Sequence, residues 1–221
     1  MTISSDRILY QDEALLAVSK LAGELTVRGS GKLEKLPLLD FLKKDYPGIH
    51  PLNRLDFETS GVVLFARNKK VLADVVDGNF RGWKKTYRTL VAGRIRQDRG
   101  EIRKELPTRS RSEGSVPALT RYRVLQRFAN STFVEVEIET GRHHQIRRHF
   151  AGIGHPLVLD QVYGDEKVNR KFSRQSGYRR FFLHAAKVLL PHPVTGKELV
   201  IEAPMPKVFE GILKKLSGVS S

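Results

Sequence analysis

The chain has 221 residues, 40% of them hydrophobic, so it can bury a full core, and no apolar run approaches the ~20 residues of a membrane span. The polar start lacks a secretory hydrophobic stretch, and the absence of cysteine excludes disulfides and thiolate metal sites, which predicts a cytoplasmic protein. Lysine and arginine total 39 against 24 acidic residues, and this net charge of +15 indicates a polyanionic partner, with nucleic acid favoured over membrane because the basic residues are dispersed.

The first part of the chain alternates short apolar runs with turn residues. We predict strands at Ile8–Tyr10, Leu15–Val18 and Leu25–Val27. Leucines at helical spacing predict a helix over Pro37–Tyr46, and a second helix is expected after Asn68, which is a good N-cap. No internal repeat is present and no basic helical module precedes these elements, so we expect one domain over residues 1–221.

A polar turn followed by an apolar run occupies Asn53–Asn68. Arg54 and Asp56 lie in the polar part, and Val62–Ala66 has the length and β-branched content of a buried strand. The Thr59–Gly61 segment has turn chemistry, with hydroxyls that can bond to the backbone and a glycine that can adopt positive φ. The turn therefore places Asp56 on a tight bend anchored by a core strand. An ordinary surface turn is the alternative interpretation.

The middle of the chain is predicted to form a meander of strands. In the first, Trp83–Val91, alternation puts Lys85 and Tyr87 on the same face. A tyrosine in a strand is ordinarily a packing residue whose hydroxyl is hydrogen bonded. The following strands are predicted at Glu101–Lys104, Pro117–Gln126 and Thr132–Thr140. In the last of these, valines and isoleucine alternate with glutamates, as in an antiparallel strand with one wet side.

The segment Gly141–His155 contains three closely spaced histidines, His143, His144 and His149, which raise the possibility of a zinc site. Ligand pairs on a helix lie three or four positions apart, whereas His144 and His149 are five apart, so no metal site is predicted. We interpret the segment as a helix with Gln145, Arg147 and Arg148 in its first turns and Ile146, Phe150 and Ile153 buried.

Two polar segments are candidates for contact with nucleic acid. The loop that ends near Gly114 contains Arg109 and Arg111, and it is either a phosphate-contacting arm or an ordinary charged loop. Asp165–Arg180 is the densest basic stretch and the leading candidate for backbone contacts. Phe181–Leu190 is then predicted to be a core strand, and a final helix beginning near Pro206 is expected to bury Val208, Ile212, Leu213 and Leu216.

Four motifs occur in order along the chain: R-L-D-x-x-T-S-G at Arg54–Gly61, K-x-Y-x-x-x-V-x-G at Lys85–Gly93, G-R-x-H-Q-I-R-x-H at Gly141–His149, and H-P-x-x-x-D-x-x-Y-G at His155–Gly164. Together they resemble the RluA-type pseudouridine synthases, and the resemblance extends from Tyr10 to Pro206. It implies an α+β fold with a mixed, mostly antiparallel central sheet, flanking helices and an active-site cleft.

The resemblance also implies the chemistry and its residues. Asp56 is implied to be the catalytic residue, as nucleophile or general base, while Tyr87 stacks on the target base and Arg147 pairs with Asp56. Arg54 is implied to fill the gap that the flipped base leaves. Asn53 stands where relatives usually have histidine, and an amide can still donate and accept hydrogen bonds. No metal or organic cofactor is implied.

The function predicted from these observations is isomerisation of uridine in tRNA or rRNA by a stand-alone catalytic domain acting as a monomer in the cytoplasm. A catalytically inactive RNA-binding protein of the same fold is the alternative. A retaining hydrolase would need a second carboxylate, for which Glu58 is the only neighbour of Asp56 in sequence. The residues predicted to bind RNA are basic: Arg54, Lys85, Arg142, Lys167, Arg170, Lys171 and Arg174.

Overall fold

The computed structural model describes residues 3–28, 36–107 and 114–218, so Arg109 and Arg111 of the predicted phosphate-contacting arm lie outside the described residues. The chain forms two compact units: unit 1 comprises Met1–Lys85 and His184–Pro204, and unit 2 comprises Thr86–Leu183 and Met205–Ser221. The expectation of one catalytic domain over residues 1–221 stays a prediction. Within the described part, every helix is too short or too polar to cross a membrane.

The regular elements are numbered in chain order. The strands are β1 (Ile8–Gln11), β2 (Leu15–Lys20), β3 (His50–Pro51), β4 (Ser60–Ala66), β5 (Lys84–Ala92), β6 (Arg99–Arg103), β7 (Leu106–Pro107), β8 (Ser115–Val116), β9 (Leu119–Arg127), β10 (Ser131–Ile138), β11 (Leu183–Pro191) and β12 (Glu198–Glu202). The helices are α1 (Leu38–Asp45), α2 (Lys69–Asp77), α3 (Gln145–Gly152), α4 (Glu166–Ser176) and α5 (Lys207–Leu216), preceded by a short 3-10 helix at Ser5–Arg7.

Unit 1 is organised around β4, whose seven residues are all buried. Strands β1, β2, β4 and β11 lie side by side, with β3 paired to β4 and β12 paired to β11. Val62 and Leu64 pack in one apolar cluster with Val71 of α2, while Val63 and Phe65 pack in a second with residues of α1. Because both faces of β4 are covered, its sequence is a continuous apolar run rather than an alternating one.

Unit 2 is built on strands β5, β10, β9 and β6, in that order, and β9 runs antiparallel to both β10 and β6. Val134, Val136 and Ile138 are buried on one side of β10, as the alternation in the sequence predicts. Helix α3 packs on this side, where the rings of Phe150 and Tyr122 lie 5.6 Å apart. The α+β prediction with a mixed, mostly antiparallel sheet is confirmed.

The structure corrects several local predictions. Leu25–Val27 is not a strand, because the carbonyls of Leu25 and Thr26 accept hydrogen bonds from Leu38 and Leu39 at the start of α1. Strand β12 and helix α4 were not predicted. Ile153 and Val208 were expected to be buried, but both are exposed, and Phe209 packs inside in place of its neighbour.

Candidate functional site

Asp56 lies in unit 1 on the connection between β3 and β4. The turn is formed by Phe57 and Glu58, where Thr59 N–H donates to the carbonyl of Asp56 over 3.1 Å. Ser60 already belongs to β4, so the turn ends earlier than the sequence predicted. Asp56 is half-buried and Arg54 is exposed two positions before it. The strand that follows therefore holds one side of the turn rigidly.

Asn53 lies on the other side of this connection, and its side chain is hydrogen bonded to the backbone of β4. Its Oδ1 accepts from the N–H of Leu64 over 2.7 Å, and its Nδ2 donates to the carbonyl of Val62 over 3.3 Å. The side chain thus extends the hydrogen bonding of β4 toward the Asp56 turn. Both the donor and the acceptor of this amide are therefore used.

Lys20 is the feature of this region that sequence reasoning missed. Its side chain is fully buried, and its ammonium donates to the carbonyls of Leu21, Phe57 and Thr59 over 3.0, 3.2 and 2.6 Å. One of these carbonyls, that of Phe57, lies in the turn that follows Asp56, and that of Thr59 lies just after it, so the lysine fixes the backbone beside the carboxylate. Burial lowers the pKa of Lys20 to about 8, against the attraction of the Glu24 and Asp56 carboxylates.

Lys20→Met is expected to remove a pH dependence of stability. Because the pKa of Lys20 falls from 10.5 in the unfolded chain to about 8 in the folded one, the unfolded chain binds more protons between these values. The free energy of unfolding of the wild type, relative to the variant, should therefore rise by about 3 kcal/mol as pH increases through this window.

Urea melts of both proteins at a series of pH values measure this difference. The control is Lys43→Met, which removes an exposed lysine of α1 and should follow the wild-type curve. Parallel curves for the wild type and Lys20→Met would contradict the assignment.

The start of β4 is also tied to β11. The Oγ of Ser60 lies 2.9 Å from Nδ1 of His184, whose Nε2 lies 3.2 Å from the carbonyl of Ala203. Because a carbonyl only accepts, Nε2 of His184 carries a proton. Gly61 has φ +113°, and a Cβ at this position would lie 2.2 Å from the carbonyl oxygen of Ala185. Only glycine permits this approach of the two strands.

Tyr87 and Lys85 lie on the same side of β5, as the alternation predicts. Tyr87 is 8% exposed, and Lys85 is half-buried. Burial lowers the pKa of the Lys85 ammonium. Their roles at the base and on RNA stay predictions.

Arg147 is held in unit 2 by a carboxylate that sequence reasoning did not assign. Its Nε and Nη2 donate to Oδ2 and Oδ1 of Asp160 over 2.6 and 2.8 Å. The two residues are 5% and 0% exposed. Arg147 also lies over the rings of Tyr163 and Phe181, at 5.1 and 4.6 Å from their centroids. The pairing of Arg147 with Asp56 stays a prediction.

The environment of Asp160 favours its ionised form. Burial alone would raise the pKa of this carboxyl, but the Arg147 guanidinium and the N–H groups of Val162 and Tyr163 hold it below its usual range. Asp160 is the aspartate of the H-P-x-x-x-D-x-x-Y-G motif, so the motif itself was the signal that could have identified it. The geometry explains why this motif accompanies the arginine.

Gln145 fixes the start of α3. Its Oε1 accepts from the hydroxyl of Thr140 and the N–H of Arg142, and its Nε2 donates to the carbonyl of Leu119 and the hydroxyl of Thr120. Every donor and acceptor of the buried amide is used. Arg142 itself is exposed just before the helix, and its contact with RNA stays a prediction.

The three histidines of this segment make protein contacts. His149 is fully buried between the hydroxyl of Thr120 and the carbonyl of Lys104, and burial lowers its pKa. His144 Nδ1 lies 3.0 Å from the hydroxyl of Tyr163, and its ring stacks on His143 at 3.8 Å. Across residues 3–28, 36–107 and 114–218, no group of three or more histidine, aspartate or glutamate side chains could hold a metal.

The basic stretch after Gly164 forms α4, and the helix gathers its charges on one face. The four residues follow the spacing i, i+3, i+4 and i+7, and all are exposed: Lys167, Arg170, Lys171 and Arg174. Asp165 caps the helix by accepting from the N–H of Val168. We call these four side chains the α4 basic stripe. Its spacing gives a row of cations along about two turns.

The outer side of the unit 2 sheet is charged but largely neutralised. Arg121 donates to Glu101 over 3.0 Å and to Glu139 over 2.8 Å, and Arg123 donates to Glu135 over 2.7 Å. Exposed pairs of this kind contribute little to stability. They do remove the local excess of positive charge, so this sheet face presents a weaker electrostatic attraction to a polyanion than the α4 basic stripe does.

Comparisons with known proteins agree on one family. The family described as "RNA pseudouridylate synthase" matches residues 14–152. The chain is 34% identical to ribosomal large subunit pseudouridine synthase C of Escherichia coli K12, over 96% of the chain and 70% of the relative. It is 33% identical to tRNA pseudouridine synthase C of Vibrio vulnificus, over 97% of the chain and 96% of the relative. The solved structure of human RNA pseudouridylate synthase domain containing 4 superposes with a TM-score of 0.79 at 25% identity, covering 96% of this chain and 94% of that chain.

Proposed function

This chain belongs to the RNA pseudouridylate synthase family and is by that membership an isomerase, and we propose that it converts uridine to pseudouridine in tRNA or ribosomal RNA. The observation that carries the proposal is the mounting of Asp56. Asp56 is the aspartate of the R-L-D pattern of the family. It lies beside a turn whose backbone carbonyls accept hydrogen bonds from the buried ammonium of Lys20. Such rigid support is what a reacting carboxylate needs to keep its geometry.

The proposed reaction detaches uracil from C1′ of its ribose, rotates the base and rejoins it through C5. Asp56 acts at the sugar, as nucleophile or as general base. Tyr87 stacks against the detached base, which contributes about 1–3 kcal/mol for an aromatic face on a nucleobase. Arg147 is proposed to pair with the Asp56 carboxylate and to orient it. Because uridine in a helix is stacked, the nucleotide must flip out, and Arg54 fills the space that it leaves.

The proposed RNA contacts are made by basic side chains that reach the phosphate backbone. The α4 basic stripe is the leading surface, because its four cations are exposed on one face. Arg142 and Lys85 are proposed to add contacts nearer the reacting nucleotide. We further propose that residues 1–221 act as one catalytic domain and as a monomer, and that the enzyme works in the cytoplasm, which the absence of cysteine supports.

The function is tested by incubating the purified protein with tRNA and ribosomal RNA and mapping pseudouridine at single-nucleotide resolution. New pseudouridine at defined positions is the expected result. Release of free uracil would show a hydrolase instead. Binding of RNA with no change in any uridine would favour the inactive RNA-binding protein.

The salt dependence of RNA binding tests the α4 basic stripe. Arg170, Lys171 and Arg174 changed together to alanine should make the slope of log affinity against log salt less steep by about 2, since each phosphate contact to a single strand contributes about 0.7. Titrations of a fluorescent RNA at several salt concentrations measure the slope.

The matched control removes the same charge from the paired sheet face, by changing Arg103, Arg121 and Arg123 to alanine. This variant should keep a slope close to that of the wild type. Equal effects of the two triple changes would mean that RNA responds to net charge alone.

A further inference from the structure

Helix α4 has a second face, opposite its basic stripe, that is buried. Asn169 is 7% exposed and Phe172 is 9% exposed, while the rest of the helix is polar and largely solvated. A buried amide must find partners for its donor and acceptor, because leaving either unpaired costs about 1–3 kcal/mol. The partners of Asn169 are therefore informative about what this face of the helix does.

Asn169 bonds to the backbone of one specific turn. Its Oδ1 accepts from the N–H of Leu159 over 2.7 Å, and its Nδ2 donates to the carbonyl of Asp160 over 2.9 Å. Through these two bonds the side chain joins the helix to the residue that binds Arg147. The N–H of Gly164 also donates to the Asp160 carbonyl, over 3.0 Å.

The turn at Leu159 and Asp160, to which Asn169 is hydrogen bonded, has a backbone conformation that is locally unfavourable. Leu159 has φ +67°, in the left-handed region, and its side chain is 1% exposed. That conformation costs a non-glycine residue about 1–2 kcal/mol, so it persists only where surrounding contacts impose it. A Cβ on Gly164 would lie 2.3 Å from the Asp160 carbonyl oxygen, so the turn also needs glycine there. Asn169 supplies two of the bonds that impose the conformation.

The same turn aims the carboxylate of Asp160. Its two oxygens accept from Nε and Nη2 of Arg147 and from the N–H groups of Val162 and Tyr163. A shift of the Leu159–Asp160 backbone would therefore move the guanidinium of Arg147. Asn169 is thus joined to Arg147 through one carboxylate and one peptide unit.

We propose that Asn169 is a positioning residue for Arg147, and that α4 contacts RNA with its basic stripe while its buried face holds the arginine in place. The inference rests on the proposed function. Asn169 lies outside residues 14–152, the part of the chain that the family match covers. Its action is indirect, because its described partners are backbone groups of Leu159 and Asp160.

Asn169→Ala should lower kcat on the order of 10²-fold, because a displacement of about 1 Å in a catalytic group has an effect of this size. The affinity for RNA and its dependence on salt should be unchanged. Asn169→Asp retains the acceptor for Leu159 and loses the donor to Asp160, so it should also lower kcat, by at least about tenfold. Both are measured in single-turnover and titration experiments below the melting temperature of each variant. Gln175→Ala, an exposed amide on the same helix, is the control and should retain wild-type constants.

A second measurement is independent of activity. The Nε–H signal of Arg147 in heteronuclear NMR reports its bond to Asp160, and we expect the signal to shift and lose protection from exchange in both Asn169 variants but not in Gln175→Ala. An unchanged signal with unchanged kcat in a folded Asn169 variant would overturn the inference. A raised KM at wild-type kcat would also overturn it, because Asn169 would then serve only the RNA-binding face. If the wild type forms no pseudouridine, the proposed function fails, and the NMR signal alone still decides whether Asn169 positions the arginine.

Discussion

Asp56→Asn is expected to abolish formation of pseudouridine while RNA still binds with wild-type affinity. The two side chains are nearly isosteric, but the amide can serve neither as a nucleophile nor as a base at the sugar. The Lys20 ammonium donates to the carbonyls of Phe57 and Thr59 in this region, and the change at position 56 leaves these backbone acceptors in place. Quantifying pseudouridine in RNA after long incubation, beside a binding titration, measures both parts.

Glu58→Gln makes the corresponding change at the neighbouring carboxylate and separates the isomerase from a hydrolase. An isomerase that works through Asp56 is expected to keep turnover in this variant. A retaining hydrolase would lose activity in both variants, because it requires two carboxylates. Normal turnover by a folded Asp56→Asn protein would remove Asp56 from the catalytic role.

Arg147→Ala is expected to stop catalysis and to lower the free energy of unfolding by about 3–5 kcal/mol, the usual cost of removing one partner of a buried ion pair. Asp160 is fully buried, so the loss of the guanidinium would leave its carboxylate desolvated and uncompensated. The pKa of Asp160, which Arg147 holds below its usual range, should then rise. The variant should consequently regain part of its lost stability as pH falls, because the stranded carboxyl becomes neutral.

A double-variant cycle tests the pair directly. The double variant Arg147→Ala, Asp160→Ala should lose less free energy of unfolding than the sum of the losses in the two single variants. In the double variant both charged groups are absent, so no buried charge is left without its partner. The exposed pair of Arg170 with Glu166 is the control, and Arg170→Ala should change stability by no more than about 0.5 kcal/mol. Strictly additive losses for Arg147 and Asp160 in denaturant melts would exclude the coupling.

The same cycle applied to Arg147 and Asp56 tests the pairing that the family resemblance implies. Arg147→Ala should be less damaging to stability in an Asp56→Ala background than in the wild type, because one carboxylate fewer is left unpaired. Independence of these two positions, together with strong coupling between Arg147 and Asp160, would show that Asp160 and not Asp56 is the carboxylate coupled to the arginine.

The sequence alone was enough for most of the main elements and for the proposal that Asp56 is the reacting aspartate. The continuous apolar run Val62–Ala66 specified a buried strand because both faces of β4 are covered. Successive side chains of a strand point to opposite faces of the sheet. The alternation along Thr132–Thr140 therefore specified a strand with one buried face and one solvent-exposed face. The motifs in order along the chain identified the family, and with it the predicted roles of Asp56, Tyr87 and Arg147.

Helix α4 shows where local patterns failed. A helix is usually recognised from a periodic apolar face, and α4 buries little apolar surface beyond Phe172. Its periodicity is carried instead by the basic stripe on the solvent side. The charges were visible in the sequence, but their alignment on one face follows only from the helix.

Only the tertiary structure decided which polar groups hold the Asp56 turn and Arg147. Lys20 and Thr59 are 39 positions apart, yet their bond fixes the Asp56 turn. Arg147 pairs with the carboxylate of Asp160, and Asn169 donates a hydrogen bond to the backbone carbonyl of Asp160. No local spacing in the sequence predicts these contacts. A buried lysine, aspartate or asparagine looks like any exposed one in sequence, because its burial depends on which distant strands and helices surround it. The sequence therefore determined the family and most of the elements, while only the tertiary structure determined the partners that hold the Asp56 turn and Arg147 in place.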